Sequence, residues 1–265
     1  MITIRCFTNI RFDAASERLV GYSEDDLTAM RQAVAEDQLV ILKNVFPSQR
    51  IEAIREAATR YCQATPESNP PIDEHTENFH RRDENPAGSV VKRVCRSIRS
   101  FYWNEELGGE RAVFLATSIF RNNLAQLPQN FTLEGVEDGG WMTNPCIVQY
   151  PAGGGHIHRH TDPDSKNHCN ILIAMSRKGV DFGTGGGYFS VGDETICYDV
   201  LLESGDVFFF KPSLAHGVDP VEPQLAPPQW AESSGRWVMM PGMIQVASLH
   251  GQKVDGLRDL QSAKL

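Results

Sequence analysis

A mainly β fold of the α+β class, with helices gathered at its N-terminal end, is what the order of patterns along these 265 residues predicts. Two observations carry it. A helix–strand–helix series occupies roughly residues 1–65, and from about residue 145 short apolar runs rich in Val, Ile and Phe are separated by glycine turns. A hydrophobic content of 41% in a chain of this length is enough for one large core, or a core with a cap.

The elements follow in order. Ser23-Glu24-Asp25-Asp26 resembles a capping box and opens a helix to about Glu36. Leu39 to Phe46 (LVILKNVF) is apolar and β-branched, as a buried strand is. From Pro47 and Ser48 a second helix places Ile51, Ile54, Ala58 and Cys62 on one face. Residues 64–86 are polar and proline-containing and read as a long loop, a length that is usually functional in a compact domain. In SVVKRVCRSIRSFYW, Val91, Val94, Ile98 and Phe101 recur at helical spacing, which predicts a helix with Lys92, Arg96 and Arg99 on another face. In an acidic chain that basic cluster reads either as a solvated helix face or as a lid that attracts an anionic substrate through a carboxylate or phosphate. On the second reading Arg96 and Arg99 touch the substrate, with His158 and Trp141 beside them.

The chemistry-bearing stretch comes next. Tyr150-Pro151-Ala152-Gly153-Gly154-Gly155 is a strand running into a glycine turn, and His156-Ile157-His158-Arg159-His160-Thr161-Asp162 follows it. Residues two apart on a strand share a face, so His160 and Asp162 aim an imidazole and a carboxylate at one point. Gly205-Asp206 opens the buried strand VFFF (Val207 to Phe210), which delivers His216 a few residues later. Two histidines and one carboxylate on one face of an octahedron suit a non-haem Fe(II) site with positions left open. Arg236 opens the next apolar strand, and its guanidinium suits bidentate pairing with a carboxylate. His156-x-His158 and His158-x-His160 present imidazoles at the same spacing, so a cupin-like ligand set stays open at this stage. Cupins want a glutamate soon after the pair and a glycine before the distal histidine, whereas Leu214-Ala215 precedes His216.

These motifs, taken in order, resemble the Fe(II)- and 2-oxoglutarate-dependent dioxygenases, in particular the phytanoyl-hydroxylase-like and prolyl-hydroxylase-like branches. The residues that carry the resemblance are Tyr150, His160-Thr161-Asp162, the turn Asp181-Phe182-Gly183-Thr184-Gly185-Gly186-Gly187, Gly205-Asp206-Val207-Phe208-Phe209-Phe210, His216 and Arg236, over roughly residues 145 to 248. The resemblance implies a double-stranded β-helix (jelly-roll, cupin-like) core. It implies Fe(II) held by His160, Asp162 and His216, with 2-oxoglutarate and O2 as cosubstrates. Arg236 would bind the far carboxylate of 2-oxoglutarate, with Tyr150 and Asn170 as further contacts. The implied reaction hydroxylates an unactivated C–H of a small molecule and releases succinate and CO2. Val238 stands where the family often has a serine two residues after the arginine.

The remaining composition narrows the class. A net charge of −9 argues against nucleic-acid binding, which relies on a basic surface. No apolar run reaches membrane-spanning length, and MITIRCFTNIRF lacks the long apolar segment of a secretory signal. Six cysteines without a Cys-x-x-Cys read as free thiols of a reducing cytoplasm. The expected organisation is one oxygenase domain: residues 1–144 as helical support and lid, 145–248 as core, and 249–265 as a C-terminal helix or tail. A non-catalytic metal- or ligand-binding protein and a cupin-type dioxygenase without 2-oxoglutarate remain as alternatives.

Overall fold

The computed structural model describes residues 3–73, 75–85, 87–133, 135–137, 140–162, 169–245 and 258–259, with Gln245 and the last two described by backbone alone. The chain is mainly β with few helices. After β1 (Ile4–Phe7) and the hairpin β2 (Arg11–Asp13) and β3 (Arg18–Val20) come α1 (Glu24–Ala35), β4 (Leu39–Leu42) and α2 (Ser48–Ala64). Then follow β5 (Phe79–Glu84), β6 (Arg93–Arg99), α3 (Glu110–Leu124), β7 (Trp141–Tyr150), β8 (Gly155–Thr161) and β9 (Asn170–Ala174). β10 (Gly186–Val191), β11 (Glu194–Cys197), β12 (Val207–Phe210), β13 (Ala215–Val221), β14 (Arg236–Gln245) and β15 (Arg258–Asp259) complete the described elements. The capping box forms: the Ser23 hydroxyl accepts from the Asp26 amide at 3.2 Å, and the Asp26 carboxylate accepts from the Ser23 amide at 2.8 Å.

One hydrogen-bonded path runs β1-β4-β12-β9-β14-β7-β6-β8-β13-β10-β11. Its pairings are antiparallel apart from β1 on β4. Within it, β12-β9-β14-β7 and β8-β13-β10-β11 are two four-stranded runs, and β6 bridges them by pairing first with β8 and then with β7. Side-chain alternation sorts the core into two layers. Val40, Leu42, Ile171, Ile173, Val207, Phe209, Trp237, Met239, Ile147 and Ile98 pack with α1, α2 and α3. The residues between them, among them Ile41, Leu172, Phe208, Phe210, Val238, Val148, Tyr150 and Cys95, face Phe189 and Val218 of the second run. A strand buried on both faces reads as a continuous apolar run, which is why VFFF and LVIL look as they do. The glycine-aspartate before β12 locks this layer. Gly205 has φ +96° with the Phe46 carbonyl where a Cβ would sit, and buried Asp206 accepts from the Asn44 and Glu203 amides and from Lys43.

Two sequence expectations need correction. The helix read over 91–101 is the strand β6. Val94 to Ile98 are all buried, Arg96 and Ser97 included, so pairing with β7 overrode an apolar spacing that happened to fit a helix. The helix of this region is α3, whose buried Val113, Phe114, Thr117, Phe120 and Leu124 carry the helical period. The loop read over 64–86 contains β5, which pairs along β6. Within 249–265 the expected helix or tail lies outside the described residues, save β15, which is a two-residue strand against Thr161 and His160. No helix among the described residues is long and apolar enough to cross a membrane.

Candidate metal centre

His160 near the end of β8 and His216 at the start of β13 are direct cross-strand partners, with ring centroids 4.3 Å apart. Asp162 follows β8, its amide held by the Pro212 carbonyl at 2.9 Å. His216 Nε2 lies 3.3 Å from one Asp162 oxygen, and His160 Nε2 lies 3.6 Å from the other. One donor atom from each residue falls within 4.8 Å of the others, and no further such group occurs among the described residues. Both imidazoles are fixed from behind. His160 Nδ1 bonds the His158 carbonyl and His216 Nδ1 the Leu214 carbonyl, each at 2.8 Å, so each Nδ1 carries the hydrogen. Burial and the neighbouring His216 push His160 down to about 4, which leaves it neutral with an Nε2 lone pair near pH 7. Burial opposes the Asp162 anion, but the neighbouring His216 and His160 and the Asn170 amide outweigh it and hold that carboxyl below its usual range. Asn170 Nδ2 donates to Asp162 Oδ2 at 2.5 Å, orienting the carboxylate. Imidazole lone pairs and a carboxylate converging on one point repel unless a cation lies between them. The donor set therefore fits a divalent metal of the Fe(II) type.

A bulge decides which histidines belong here. The β8–β13 register shifts between the His160–His216 and Ile157–Val218 pairs, so Ile157 instead of His158 turns to the interior with His160. His158 stacks on His156 at 5.1 Å, and neither lines the cavity. The shared face expected for His156, His158 and His160 is lost to that extra residue, and with it the cupin-like ligand set. His158→Ala is expected to retain the metal stoichiometry of the parent, measured by calorimetric Mn(II) titration.

The cluster opens into a cavity of about 350 Å³ lined by His160, Asp162, His216, Asn170, Tyr150, Tyr198 and Arg236, with apolar walls that include Leu172, Phe210, Val238 and Met240. Arg236 is 2% exposed and already has a carboxylate partner: its Nε donates to Asp199 Oδ2 at 2.7 Å and its Nη2 to Asp199 Oδ1 at 3.2 Å. Nη2 also donates to the Tyr198 hydroxyl at 3.2 Å, and the guanidinium lies over the Tyr150 and Tyr198 rings. The bidentate edge expected to serve an external dicarboxylate is thus turned on Asp199, and Nη1 is the group left for a ligand. Burial works against the Arg236 charge, but Asp199 outweighs it and raises the guanidinium further above its ordinary value. Burial likewise raises the Tyr150 and Tyr198 phenols, so both are neutral hydrogen-bonding groups.

Tyr198 and Asp199 escaped the sequence reading, yet the glycine turn before them was a usable signal. Asp199 accepts from the Gly187 amide at 2.5 Å; a Cβ on Gly186 would sit 2.7 Å from the Asp199 carboxylate, and one on Gly187 2.4 Å from the Tyr198 ring. The glycines exist for that approach. Gly187→Ala is expected to cost ~1–3 kcal/mol of stability in urea unfolding, because the tyrosine must move.

Other sequence-selected residues lie elsewhere. Arg96 is buried on the helix-side face, where Nη1 donates to Gln149 Oε1 at 3.1 Å and the Trp230 carbonyl at 2.8 Å. It tethers the 230 loop and does not line the cavity. Trp141 begins β7 opposite Gln245 and is likewise absent from the lining. Arg99 ends β6, half-buried. The basic helix that was to act as a lid does not exist.

No family model and no curated protein matches the sequence. Among solved structures, a prolyl-4-hydroxylase from Pseudomonas putida is 14% identical over 81% of this chain and 96% of that one, with a TM-score of 0.49. A prolyl hydroxylase from Trichoplax adhaerens is 13% identical over 83% and 88%, also at 0.49. A non-haem alpha-ketoglutarate-dependent epimerase from nogalamycin biosynthesis is 13% identical over 89% of this chain and 95% of that one, with a TM-score of 0.50. At such identity the likeness is one of fold, and this chain is folded as that epimerase is.

Proposed function

We propose that this protein is an Fe(II)- and 2-oxoglutarate-dependent oxygenase with a double-stranded β-helix core, hydroxylating a small-molecule substrate. One observation carries the reading: a single cavity holds the two-imidazole, one-carboxylate cluster and also a buried arginine with an unused Nη1. A metal site alone fits many proteins; a metal site sharing a cavity with a dicarboxylate anchor fits few. The two four-stranded runs support the double-stranded β-helix, and the presence of β4 and β6 in the same sheet supports a single domain. Residues 145–248 then act as catalytic core and 1–144 as its support.

In this reading His160, Asp162 and His216 hold the iron, and Asn170 keeps Asp162 aimed at it. Arg236 binds the far carboxylate of 2-oxoglutarate through Nη1, while Asp199 and the two tyrosine rings fix the guanidinium plane. Leu172, Phe210, Val238 and Met240 keep water from the reacting centre. Bound iron with 2-oxoglutarate and O2 supplies the oxidant that takes hydrogen from a substrate C–H, with succinate and CO2 as co-products. Free cysteines without a disulfide among the described residues accord with a cytoplasmic location, and the negative net charge with a partner other than nucleic acid.

The test is anaerobic calorimetry followed by turnover. The metal-loaded protein should bind 2-oxoglutarate, and admission of O2 should yield succinate only when Fe(II) and 2-oxoglutarate are both present. Metal uptake without any 2-oxoglutarate binding would sink the reading and return a metal-binding β protein.

A further inference from the structure

β5 and β6 together carry Arg81, Arg82, Arg93, Arg96 and Arg99. Four of them are partnered. Arg93 donates to Asp83 at 2.8 Å, Arg81 lies 3.6 Å from the same carboxylate and donates to Asn69 at 2.5 Å, Arg82 pairs with Glu67, and Arg96 holds Gln149 and Trp230. Arg99 is half-buried and makes no hydrogen bond or ion pair among the described residues. A guanidinium partly removed from water without a counter-charge is unfavourable, and a ligand that brings the charge relieves it.

The register says where Arg99 points. It pairs with Cys146, which pairs with Met240, and Met240 lines the metal-bearing cavity. Four positions before it, on the same face, Cys95 packs in the inner layer, whereas Ile98 packs against the helices. By alternation Arg99 lies on the same sheet face as Met240, ~10 Å of backbone from it across two strand spacings, beside the cavity and outside its lining, as does Asn144. One step along β7, Asn144 pairs with Gly242, which also lines the cavity. Its Oδ1 is buried and has no hydrogen-bond partner. Arg99 and Asn144 are diagonal neighbours, ~7–8 Å apart. An unused cationic donor and an unused polar group therefore sit side by side, next to an apolar cluster of Phe79, Phe101, Met142 and Ile244.

We propose that Arg99 and Asn144 anchor the substrate to be oxidised. That substrate is a small carboxylate with an N–H or O–H donor beside its charge, an amino acid or 2-hydroxy acid being the simplest form. The inference rests on the oxygenase reading above and names its substrate class. Arg99 takes the carboxylate, Asn144 takes the neighbouring donor, and the apolar cluster borders the rest of the molecule.

The experiment uses the full chain loaded anaerobically with Mn(II) and 2-oxoglutarate. Amino acids and 2-hydroxy acids are screened against it by thermal shift and calorimetry, each beside its carboxamide and its analogue lacking the amino or hydroxyl group. Acids are expected to bind and carboxamides not. Arg99→Gln is expected to weaken those acids ~10–100-fold, and Asn144→Leu to weaken the donor-bearing acids while sparing the plain ones. Retained Mn(II) and 2-oxoglutarate binding in both variants identifies an intact fold. Equal affinity of the acids for Arg99→Gln overturns the proposal, as does a wild-type protein that binds only neutral compounds or none of the panel. If the wild type takes up neither Mn(II) nor 2-oxoglutarate, the oxygenase reading itself has failed. Acid binding to the unloaded protein, with its loss in Arg99→Gln, then decides the anchor separately.

Discussion

Asp162→Ala is expected to abolish tight Fe(II) binding and all 2-oxoglutarate turnover, while the protein stays folded. Asp162 supplies the one negative charge among the three converging donors, so its loss leaves two neutral imidazoles facing an ion with no charge compensation. Removing an outer-shell partner of a metal ligand typically costs ~10–100-fold in affinity, and Asn170→Ala should fall in that range because Asn170 holds the carboxylate at 2.5 Å. Losing the ligand itself should cost more than that. His216→Ala belongs with it, since His216 Nε2 lies 3.3 Å from the same carboxylate. The measurement is calorimetric titration with Mn(II), checked by succinate release with Fe(II). A stability control separates binding from folding: the metal-free Asp162→Ala protein should still unfold in one cooperative transition, so that the lost metal affinity reports the missing ligand and not a missing fold. Metal affinity within a few-fold of wild type would move the centre elsewhere.

The convergence of His160, Asp162 and His216 was legible because their spacing is imposed by strand geometry and their types are those that coordination chemistry asks for. The strands around them were legible for a related reason: Val207 to Phe210 are buried on both faces, and no polar residue interrupts them. What failed to show was whatever depends on a register change or on long-range pairing. The β8 bulge takes His158 off the face that period-two counting gives it, and nothing in the histidine-rich string marks the extra residue. β6 was mistaken for a helix because Val91, Val94, Ile98 and Phe101 recur at helical spacing while Val94 and Ile98, four apart, fit a strand face equally well, and only pairing with β7 and β8 selects the strand. Arg96 and Arg99 then part company, since residues an odd number apart on a strand face opposite ways. The Arg236–Asp199 pair was also invisible, because the two residues meet only when β14 passes the turn after β11.

Arg236→Ala is expected to weaken 2-oxoglutarate by ~10²–10³-fold, the ~3–5 kcal/mol that follows when one member of a buried charge pair is removed. The same change strands the Asp199 carboxylate, 8% exposed in its side chain, so stability should fall too and blur the result. A second variant separates the two effects. In Arg236→Met with Asp199→Asn no buried charge is orphaned, so unfolding should return toward the parent value, as replacement of a buried ion pair by neutral groups often allows. Its 2-oxoglutarate affinity should stay low, because Nη1 is gone. Arg236→Lys should behave nearly as poorly as alanine for binding: one ammonium cannot hold both Asp199 oxygens and still present a donor to a second carboxylate in the plane set by Tyr150 and Tyr198. Asp199→Asn alone leaves the guanidinium charged but loosely aimed, so it should retain Fe(II) and lose 2-oxoglutarate affinity by less than Arg236→Ala does. Calorimetry of the metal-loaded variants gives the order directly. Recovery of 2-oxoglutarate binding together with stability in the double variant would mean that Arg236 serves the fold alone and that the cosubstrate is anchored by another group.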